Sequence, residues 1–532
     1  MDPLSGLSRR AMVMSTFAGT LAGLAGAPSL VRAASLRGFY EVRDFGARGD
    51  GKTIDSGAIN KAIEAAARGG GGTVVVSPGD YKCFSIRLKD NITLMLSAGA
   101  TIIAANPDVD GAHYDLPEGI FEEQLASHGQ SHYRNSLIYG IGLSNIAIVG
   151  TGRIHGLGLD RENPEPRWHG IPGWVSPKDQ GLDPQTARLK DPEERRYEGR
   201  AGKSIGLKEC HNVVLRDFSI LQGGHFSVYA LGCSNMTIDG LMIDTDRDGI
   251  DIDCCRDVRV SNCIVNAPKD DAIVLKSSGA LNRSVVCEEV SVVNCKTSGY
   301  LLGTMLDGTY VPSPYVSPDK LGVLGRIKLG TDSVGGFRNI LISDCICENS
   351  RGLQLGAIDG GVLEDVTFSN ISLRNPVNHP FFLRLSVRNR APVGAGVAQV
   401  RRVRFSDINV SGALGAFPCG IVGVEDGIIE DVSIGNVHIV NSGGGSAEDA
   451  ARVPPERRNS SLEPSFMGVL PAHGLYVRHA RNITVRNSSF EVTAPDARPA
   501  LYFDDVTGAK VSSLSVPGQA VKSVNSRDIQ VS

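Results

Sequence analysis

The chain has 532 residues, a formal charge of −4 and a hydrophobic fraction of 41%. This slightly acidic balance argues against a nucleic-acid binder, which would need a strong basic excess. Glycine is abundant, at 63 residues, whereas tryptophan occurs twice. Such a composition favours many short strands and tight turns over helix bundles.

The first 34 residues predict an export signal that is not part of the fold. Residues 8–10 read Ser-Arg-Arg, an apolar stretch follows over 11–27, and small residues occupy 33–34. This order is typical of a secretory signal, and the paired arginines indicate the twin-arginine route. The alternative is a membrane anchor, but the apolar run is short and rich in glycine and alanine. We therefore expect a secreted or periplasmic bacterial protein with no membrane-spanning segment, in which residues 35–532 form one domain.

A helix is predicted immediately after Asp55-Ser56, because Ile59, Ala62, Ile63 and Ala66 follow at helical spacing. Four glycines at 69–72 end it. The glycine run is similar to a phosphate-binding loop, but the required Lys-Ser/Thr does not follow.

A short pattern returns from residue 91 onwards: a polar residue, alternating apolar positions, a turn and a second short strand. Alternation at period two marks strands with one buried face. Two successive repeats are 23 and 22 residues long, and units of this size must stack to bury that face. The pattern begins at Asn91, Asn145, Asn212, Asn235, Asp257, Glu289, Asn339, Asp365, Asp431 and Asn482.

These repeats predict an all-β solenoid, a parallel β-helix. A propeller needs about twice as many residues per blade, and the Leu-x-x-Leu-x-Leu register of a leucine-rich repeat is absent. The open end of a solenoid exposes unpaired strand edges, so the early helix is expected to cap it.

Three segments without the strand pattern are predicted to be loop insertions that wall a groove: 157–202, 303–323 and 441–470. The first contains both tryptophans, Trp168 and Trp174. Their rings could stack on sugar rings or anchor the loop.

Eleven cysteines are present, and several recur at matching places in successive repeats. A protein that folds in the reducing cytosol before export would not depend on disulfides. We therefore expect small buried side chains stacked inside the solenoid. Metal binding is the alternative, but Cys254-Cys255 lacks a second ligand pair.

The densest group of carboxylates lies on two neighbouring repeats. Asp248 and Asp270 are 22 residues apart, one repeat length, and strands of adjacent rungs are about 4.8 Å apart. Stacked acids raise one another's pKa values, which supplies the protonated acid and ionised base that glycosidic cleavage requires. The alternative is a solvated or calcium-binding acidic stripe. The group comprises Asp244, Asp246, Asp248, Asp251, Asp253, Asp270 and Asp271.

Two segments of this group, Asp-Gly-Ile-Asp at 248–251 and Asp-Asp-Ala-Ile-Val-Leu-Lys-Ser at 270–277, resemble the core of glycoside hydrolase family 28, the polygalacturonases. The resemblance covers roughly residues 40–510 and includes Val-Arg-Asp-Phe-Gly-Ala at 42–47. It implies a single-stranded right-handed parallel β-helix that hydrolyses galacturonan with inversion. It also implies that Asp270 is the general acid and that Asp248 and Asp271 hold and activate the water.

The chain departs from the family motifs Asn-Thr-Asp-Gly, Gly-His-Gly and Arg-Ile-Lys. Residues 246–249 read Asp-Arg-Asp-Gly, and Arg326 occupies the place of the family's histidine. The literal Arg-Ile-Lys at 326–328 then lies one rung too early, and the expected rung carries Leu-Gln-Leu at 353–355. We therefore predict a divergent branch without the Gly-His-Gly motif.

Five further side chains are predicted to bind substrate. Arg326 and Lys328 face the same way on a strand and could grip a carboxylate, or they could pair with the aspartates and hold the rung. Lys276 could be solvated instead, and His225, one rung before Asp248, could bind a sugar hydroxyl or be structural. The predicted set is His225, Asp251, Lys276, Arg326 and Lys328.

We expect an inverting hydrolase of pectic, galacturonate-containing chains, and the long loops favour exo action. The alternatives are a polysaccharide lyase on the same fold, with an Arg or Lys base and calcium held by aspartates, and a non-catalytic glycan-binding β-helix. The expected partner is an acidic plant cell-wall polysaccharide or oligosaccharide. A monomer that needs no cofactor or metal is expected.

Overall fold

The computed structural model describes residues 38–118, 130, 132–161, 199–317, 319–388 and 394–532. These ranges belong to a compact unit that spans Gly38–Ser532. The predicted export signal at 1–34 lies outside the described residues, as do Trp168 and Trp174. Among the described residues, no helix is both long and apolar enough to cross a membrane.

The described strands pair in parallel with the strand one rung earlier and the strand one rung later, and they form three sheets along the solenoid. This confirms the predicted parallel β-helix. Sheet 1 contains the strands that begin the repeats recognised in the sequence. Its separate strands are Phe39–Glu41, Gly72–Val76, Ile92–Leu96, Ser144–Val149, His211–Arg216, Ser234–Asp239, Arg256–Ser261, Cys287–Val293, Gly336–Ser343 and Arg527–Val531.

Sheets 2 and 3 complete each rung. The separate strands of sheet 2 are Asp50–Ile54, Gly79–Cys83, Ala100–Ala104, Arg153–His155, Ser219–Leu221, Met242–Asp244, Ile264–Asn266, Lys296–Ser298 and Ile346–Glu348. Those of sheet 3 are Ile86–Arg87, Ser136–Ile141, Lys203–Lys208, Phe226–Leu231, Asp248–Asp253, Ile273–Ser277, Ile327–Ser333, Leu353–Ala357, Phe381–Leu385, Cys419–Val422 and Val521–Val524.

Towards the C-terminus the separate strands merge into long ones that bend from sheet to sheet. Val362–Arg374, Gln399–Ala413 and Ile428–Asn441 each pass through sheets 1 and 2. Leu475–Val492 contributes to all three sheets, and Leu501–Ser515 pairs along most of its length. Parallel pairing therefore continues to the strand Arg527–Val531, with one shift of register between Val410 and Ala413.

The polar residue that opens each repeat has a specific backbone role. All ten of these residues have positive φ, between 51° and 60°, a conformation that asparagine and aspartate tolerate better than most residues. Their side chains also form ladders: the Asn145 amide donates to Asn91, and the Asn212 amide donates to Asn145, both at 2.8 Å. The recurring polar position is thus a corner of the solenoid.

The predicted capping helix spans Ser56–Arg68 and ends at Gly69. Its buried apolar side chains are the four that the spacing indicated, Ile59, Ala62, Ile63 and Ala66. Asp55 precedes it but makes no side-chain cap bond; its carboxylate instead accepts the backbone N–H groups of Arg48 and Gly49. The other short helices are Val42–Phe45, Ala447–Ala451 and Pro464–Met467.

All eleven cysteines are buried and none forms a disulfide, as the sequence predicts. Several stack in a column in which the backbone N–H of one rung lies against the sulfur of the next, at 3.4 Å for Cys210 and Cys233 and 3.3 Å for Cys233 and Cys255.

Sheet 3 differs from the other sheets because both of its faces are buried near the middle of the chain. Every residue of Phe226–Leu231, Asp248–Asp253 and Ile273–Ser277 is buried, whereas strands of sheets 1 and 2 alternate between buried and more exposed positions. An aromatic cluster that includes Tyr133, Phe226 and Tyr229 covers the outer face. The charged residues of this face therefore lie in a largely desolvated layer.

Candidate active site

Asp248 and the Asp270-Asp271 pair lie on two adjacent rungs, at the start of neighbouring strands of sheet 3, as the sequence indicates. Ile250 pairs with Ile273, so the offset here is 23 residues and Asp248 lies beside Asp271. The backbone N–H of Asp271 donates to the Asp248 carboxylate at 3.2 Å. This offset is one residue longer than the 22-residue repeat. The extra residue places Asp270 in the turn before the next strand, Ile273–Ser277.

Asp248, Asp270 and His225 converge at this turn. One ligand atom from each lies within 4.8 Å of the others. Asp248 is 4% exposed, whereas the side chain of Asp270 is 23% exposed. His225 precedes the neighbouring strand and is buried, which confirms its predicted place one rung before Asp248. The more accessible carboxylate is therefore Asp270.

Arg247 connects these groups and was not predicted as a site residue. One of its terminal nitrogens lies 3.1 Å from the Asp270 carboxylate and 3.3 Å from Nε2 of His225. Burial opposes its charge, but the neighbouring carboxylates, Asp270 first, raise its pKa. The sequence feature that points to Arg247 is its position between Asp246 and Asp248, where the family motif has threonine.

Burial, reinforced by the negative charges of Asp251 and Asp270, raises the pKa of Asp248 well above its ordinary value. The Lys276 ammonium opposes this rise, since it lies 3.6 Å from the Asp248 carboxylate. A buried acid close to a second carboxylate retains its proton to higher pH. The expectation that stacked acids raise one another's pKa therefore holds for Asp248.

The same expectation is wrong for Asp271. Burial alone would raise its pKa, but Arg326 and Lys328 hold it well below its usual range. Arg326 Nε donates to one carboxylate oxygen at 2.5 Å, and Lys328 Nζ donates to the other at 2.9 Å. Asp271 is thus a buried, ionised carboxylate held by two cations on the next rung.

The Arg-Ile-Lys segment lies on the rung directly after Asp-Asp, because Ile273 pairs with Ile327. The next rung places Gln354 beside Lys328. The Arg-Ile-Lys segment thus lies on the rung between Asp-Asp and Leu-Gln-Leu, as its place in the sequence indicates.

Arg326 is 3% exposed, and each of its three nitrogens already donates to a carboxylate of the protein. Its two terminal nitrogens donate to Glu463, at 2.7 and 3.2 Å, while Nε donates to Asp271. Glu463 also accepts from Arg351 at 2.9 Å. This geometry supports the alternative in which Arg326 holds the rung and positions Asp271. Glu463 belongs to the predicted insertion 441–470, and no local sequence pattern pairs it with a residue 137 positions away.

Lys276 and Asp251 form a buried ion pair beneath the site. Lys276 Nζ also lies 5.0 Å from the centre of the Phe226 ring and 5.3 Å from that of Tyr229. Burial raises the pKa of Asp251 to about 7 although Lys276 opposes the shift. Asp251 is 0% exposed and Lys276 7%. The predicted contacts of these two residues with substrate are not supported, and the alternative of a solvated Lys276 is wrong.

Two other predicted acids have structural roles. Asp244 accepts the backbone N–H groups of Met305 and Leu306 at 3.0 Å, which fixes the insertion 303–323. Asp253 accepts hydrogen bonds from the hydroxyls of Tyr229 and Ser278, at 2.7 and 2.6 Å. Both carboxylates are fully buried.

A cleft of about 510 Å³ opens beside Arg247, within the usual size range of small-molecule sites. Its charged lining is mostly basic, and Tyr315 of the insertion 303–323 adds an aromatic side chain. The lining residues are Asn106, Leu157, Gly158, Leu159, Asp160, Arg161, Arg200, Asp246, Arg247, Lys269 and Tyr315. We call this the cationic cleft.

The residues that offer the geometry of a metal site in the described part of the chain are His225, Asp248 and Asp270. The Arg247 guanidinium contacts two of the three, so a divalent cation would have to compete with a charge already in place. The donor set fits a metal only if this arginine moves.

The fold and site define a class: β-helix proteins with an acidic centre on one sheet. A family model described as "Rhamnogalacturonase A/epimerase, pectate lyase-like" matches residues 39–184, and one described as "Right handed beta helix region" matches 193–306. The second agrees with the predicted handedness.

Particular relatives narrow this class. The chain is 22% identical to an exo-poly-alpha-D-galacturonosidase of Dickeya chrysanthemi over 399 residues, which cover 69% of this chain and 60% of that protein. A family 28 exopolygalacturonase of Yersinia enterocolitica superposes with a TM-score of 0.59 at 18% identity, over 92% of this chain and 78% of that one. The chain is thus related to polygalacturonases at low identity and spans about three fifths of the galacturonosidase.

A shorter stretch of the chain is similar to a protein that is not named as a polygalacturonase. Over 73 residues the chain is 47% identical to alginate lyase 7 of Azotobacter vinelandii, which covers 14% of this chain and 8% of that protein.

Proposed function

We propose that this chain hydrolyses glycosidic bonds in galacturonate-containing polysaccharide or oligosaccharide. The observation that carries the proposal is the pair Asp248 and Asp270, which come from adjacent rungs, have oxygens within 4.8 Å of each other and differ in exposure. Burial and the neighbouring acids raise the pKa of Asp248, so this carboxyl keeps its proton at a pH where an isolated aspartate is ionised.

In this proposal Asp270 donates the proton, because its side chain is exposed and can reach a glycosidic oxygen. The leaving oxygen takes that proton as the bond to the anomeric carbon breaks. Asp248 takes a proton from the attacking water, so the pair ends with the number of protons it had. Asp271, held by Arg326 and Lys328, contributes a fixed negative charge that favours the proton on Asp248 in the resting site. In this proposal that proton passes to Asp270 before the glycosidic bond breaks, which leaves Asp248 ionised as the base.

A lyase of the kind considered from the sequence would need a neutral lysine or arginine as base. Lys276 is poorly suited, because Asp251 and Asp248 raise its pKa well above the ordinary value. Arg326 is poorly suited for the same reason, since Asp271 and Glu463 raise its pKa. These two cations therefore favour hydrolysis over elimination. Because a short stretch of the chain is similar to alginate lyase 7, the experiment must distinguish hydrolysis from elimination.

Digestion of a panel of pectic and alginate oligosaccharides by the full chain tests the proposal. We expect new reducing ends from galacturonate-containing substrates without the ultraviolet absorbance of an unsaturated uronide. Absorbance that grows with each bond cleaved would identify a lyase. Activity should persist after treatment with a chelator, since carboxylate chemistry needs no metal.

Proton NMR of fresh product tests the stereochemistry. We expect inversion, with a water between acid and base. The nearest oxygens of Asp248 and Asp270 lie within 4.8 Å of each other. This is closer than the roughly 6.5–9.5 Å between the carboxyl groups of most inverting enzymes, so the configuration of the product is a direct test of the water-mediated step. Retention would make Asp248 a nucleophile and contradict the water-mediated step.

A further inference from the structure

The cationic cleft lies beside the acids, and its lining has an excess of positive charge. Four of the charged side chains that line it are cations and two are carboxylates. It reaches the catalytic pair through Arg247, which lines the cleft and contacts Asp270 at 3.1 Å. A ligand held in the cleft would therefore lie next to the proposed proton donor.

Two of these cations share a single carboxylate oxygen. Arg161 Nη1 and Lys269 Nζ each lie 3.0 Å from Oδ2 of Asp246. One negative charge thus faces two positive charges in this trio. The side chains of Arg161 and Lys269 remain 39% and 41% exposed, so both can also meet an anion in the cleft.

Asp246 itself offers an unused acceptor. Its other oxygen, Oδ1, is buried and has no hydrogen-bond partner among the described residues, and the residue is 3% exposed. Leaving a buried carboxylate oxygen unpaired is costly. A hydroxyl group of a ligand would satisfy it.

An aromatic side chain completes the set. Tyr315 lines the cleft, and Lys269 Nζ lies 5.9 Å from the centre of its ring. A sugar ring presents an apolar face that can pack on an aromatic ring. Excess positive charge, a buried acceptor and an aromatic side chain together match a sugar that carries a carboxylate.

We infer that the cationic cleft is a subsite for a uronate residue of the substrate, whose carboxylate is bound by Lys269 and Arg161 and whose hydroxyl donates to Asp246. This subsite rests on the proposed function for its role in catalysis. In this inference the carboxylate of the sugar is recognised by Lys269, in the turn before Asp270, and by Arg161, at the start of an insertion. Arg326 and Lys328 then position Asp271.

Binding measured with the full chain carrying Asp270→Asn tests this subsite without turnover. The probes are a galacturonate trimer and its methyl ester, titrated by calorimetry. We expect Lys269→Gln in that background to weaken binding of the free acid roughly tenfold and that of the ester less than twofold, because only the acid offers a charge-assisted bond. Lys269→Arg should restore most of the loss.

Lys61→Gln, on the exposed face of the capping helix, serves as the matched control and should leave both affinities unchanged. A thermal melt of each variant checks the fold. If Lys269→Gln melts early, Arg161→Gln provides the second test with the same expected acid-to-ester difference. Equal losses for acid and ester in a folded variant would overturn the subsite.

The same titration separates this inference from the proposed function. Selective loss of acid binding in a chain that cleaves no pectic oligosaccharide would retain the subsite and refute hydrolysis. Cleavage of galacturonate chains with no acid-to-ester difference in binding would support the proposed hydrolysis and refute the subsite. A mannuronate trimer that binds more tightly than the galacturonate trimer would retain the uronate subsite but assign it to a different polymer.

Discussion

Asp248 and Asp271 lie side by side on neighbouring rungs, joined by a 3.2 Å hydrogen bond from the Asp271 backbone N–H to the Asp248 carboxylate, yet their pKa values move in opposite directions. Burial and nearby acids raise the pKa of Asp248. Arg326 and Lys328 lower that of Asp271. Two carboxylates one rung apart therefore differ in charge: Asp248 holds a proton more readily than a free aspartate, and Asp271 stays ionised to lower pH.

Replacing Asp270 with Asn should leave the fold intact and reduce the rate by a factor on the order of 10² to 10⁴, as loss of a general acid does. The side chain is partly exposed, so little stability should be lost. Initial rates on a galacturonate oligosaccharide measure the effect. Asp257→Asn, an exposed position on sheet 1 of the same rung, should keep wild-type turnover. Wild-type turnover by Asp270→Asn itself would exclude Asp270 as the acid.

Asp271→Asn should destabilise the protein at neutral pH by roughly 3–5 kcal/mol, because it leaves two buried cations without their shared partner. Urea unfolding measures this free energy. The folded-state pKa of Asp271 lies below that of the unfolded chain. Its stabilisation is therefore present above an unfolded pKa of about 3.9 and is lost as pH falls through the folded pKa.

The difference between wild type and Asp271→Asn should accordingly stay constant from neutrality down to about pH 4 and shrink at lower pH. A matched control is Asp426→Asn, which breaks the exposed pair with Arg458 and should cost less than about 1 kcal/mol. A loss for Asp271→Asn no larger than that of the control would mean that the buried network contributes little.

Lys276→Met should move the basic limb of the pH–rate profile to higher pH. The Lys276 ammonium lowers the pKa of Asp248 and that of Asp251, so its removal lets Asp248 retain its proton to higher pH. Rates of the variant and of Lys61→Met, an exposed lysine of the capping helix, are compared across pH. A basic limb that stays in place or moves to lower pH would contradict the proposed proton-holding pair.

Arg326→Ala should weaken the binding of a free galacturonate oligosaccharide and of its methyl ester by similar factors. All three guanidinium nitrogens already donate to Asp271 or Glu463 and the residue is 3% exposed, so we expect no direct contact with a substrate carboxylate. The variant should also unfold at lower urea concentration. A loss confined to the free acid would show that Arg326 contacts the substrate directly.

The sequence alone was sufficient for the repeat and much of the site. Period-two alternation with a polar corner residue determines stacking strands, since only a residue that tolerates positive φ fits each corner. The spacing also brought Asp248, Asp270 and His225 together. Repeats make this possible because residues one rung apart in the chain are neighbours in space.

The tertiary structure decided the charge state and access of each site residue. Glu463 reaches Arg326 from an insertion 137 residues away, and the cover over sheet 3 buries Lys276 and Asp251. No repeat spacing encodes such contacts, because they depend on where long insertions fold back. Electrostatic free energies depend on burial and on distances of a few ångströms. The sequence therefore determined which acids meet, and the tertiary structure determined which of them are buried, which are paired with cations and which stay accessible.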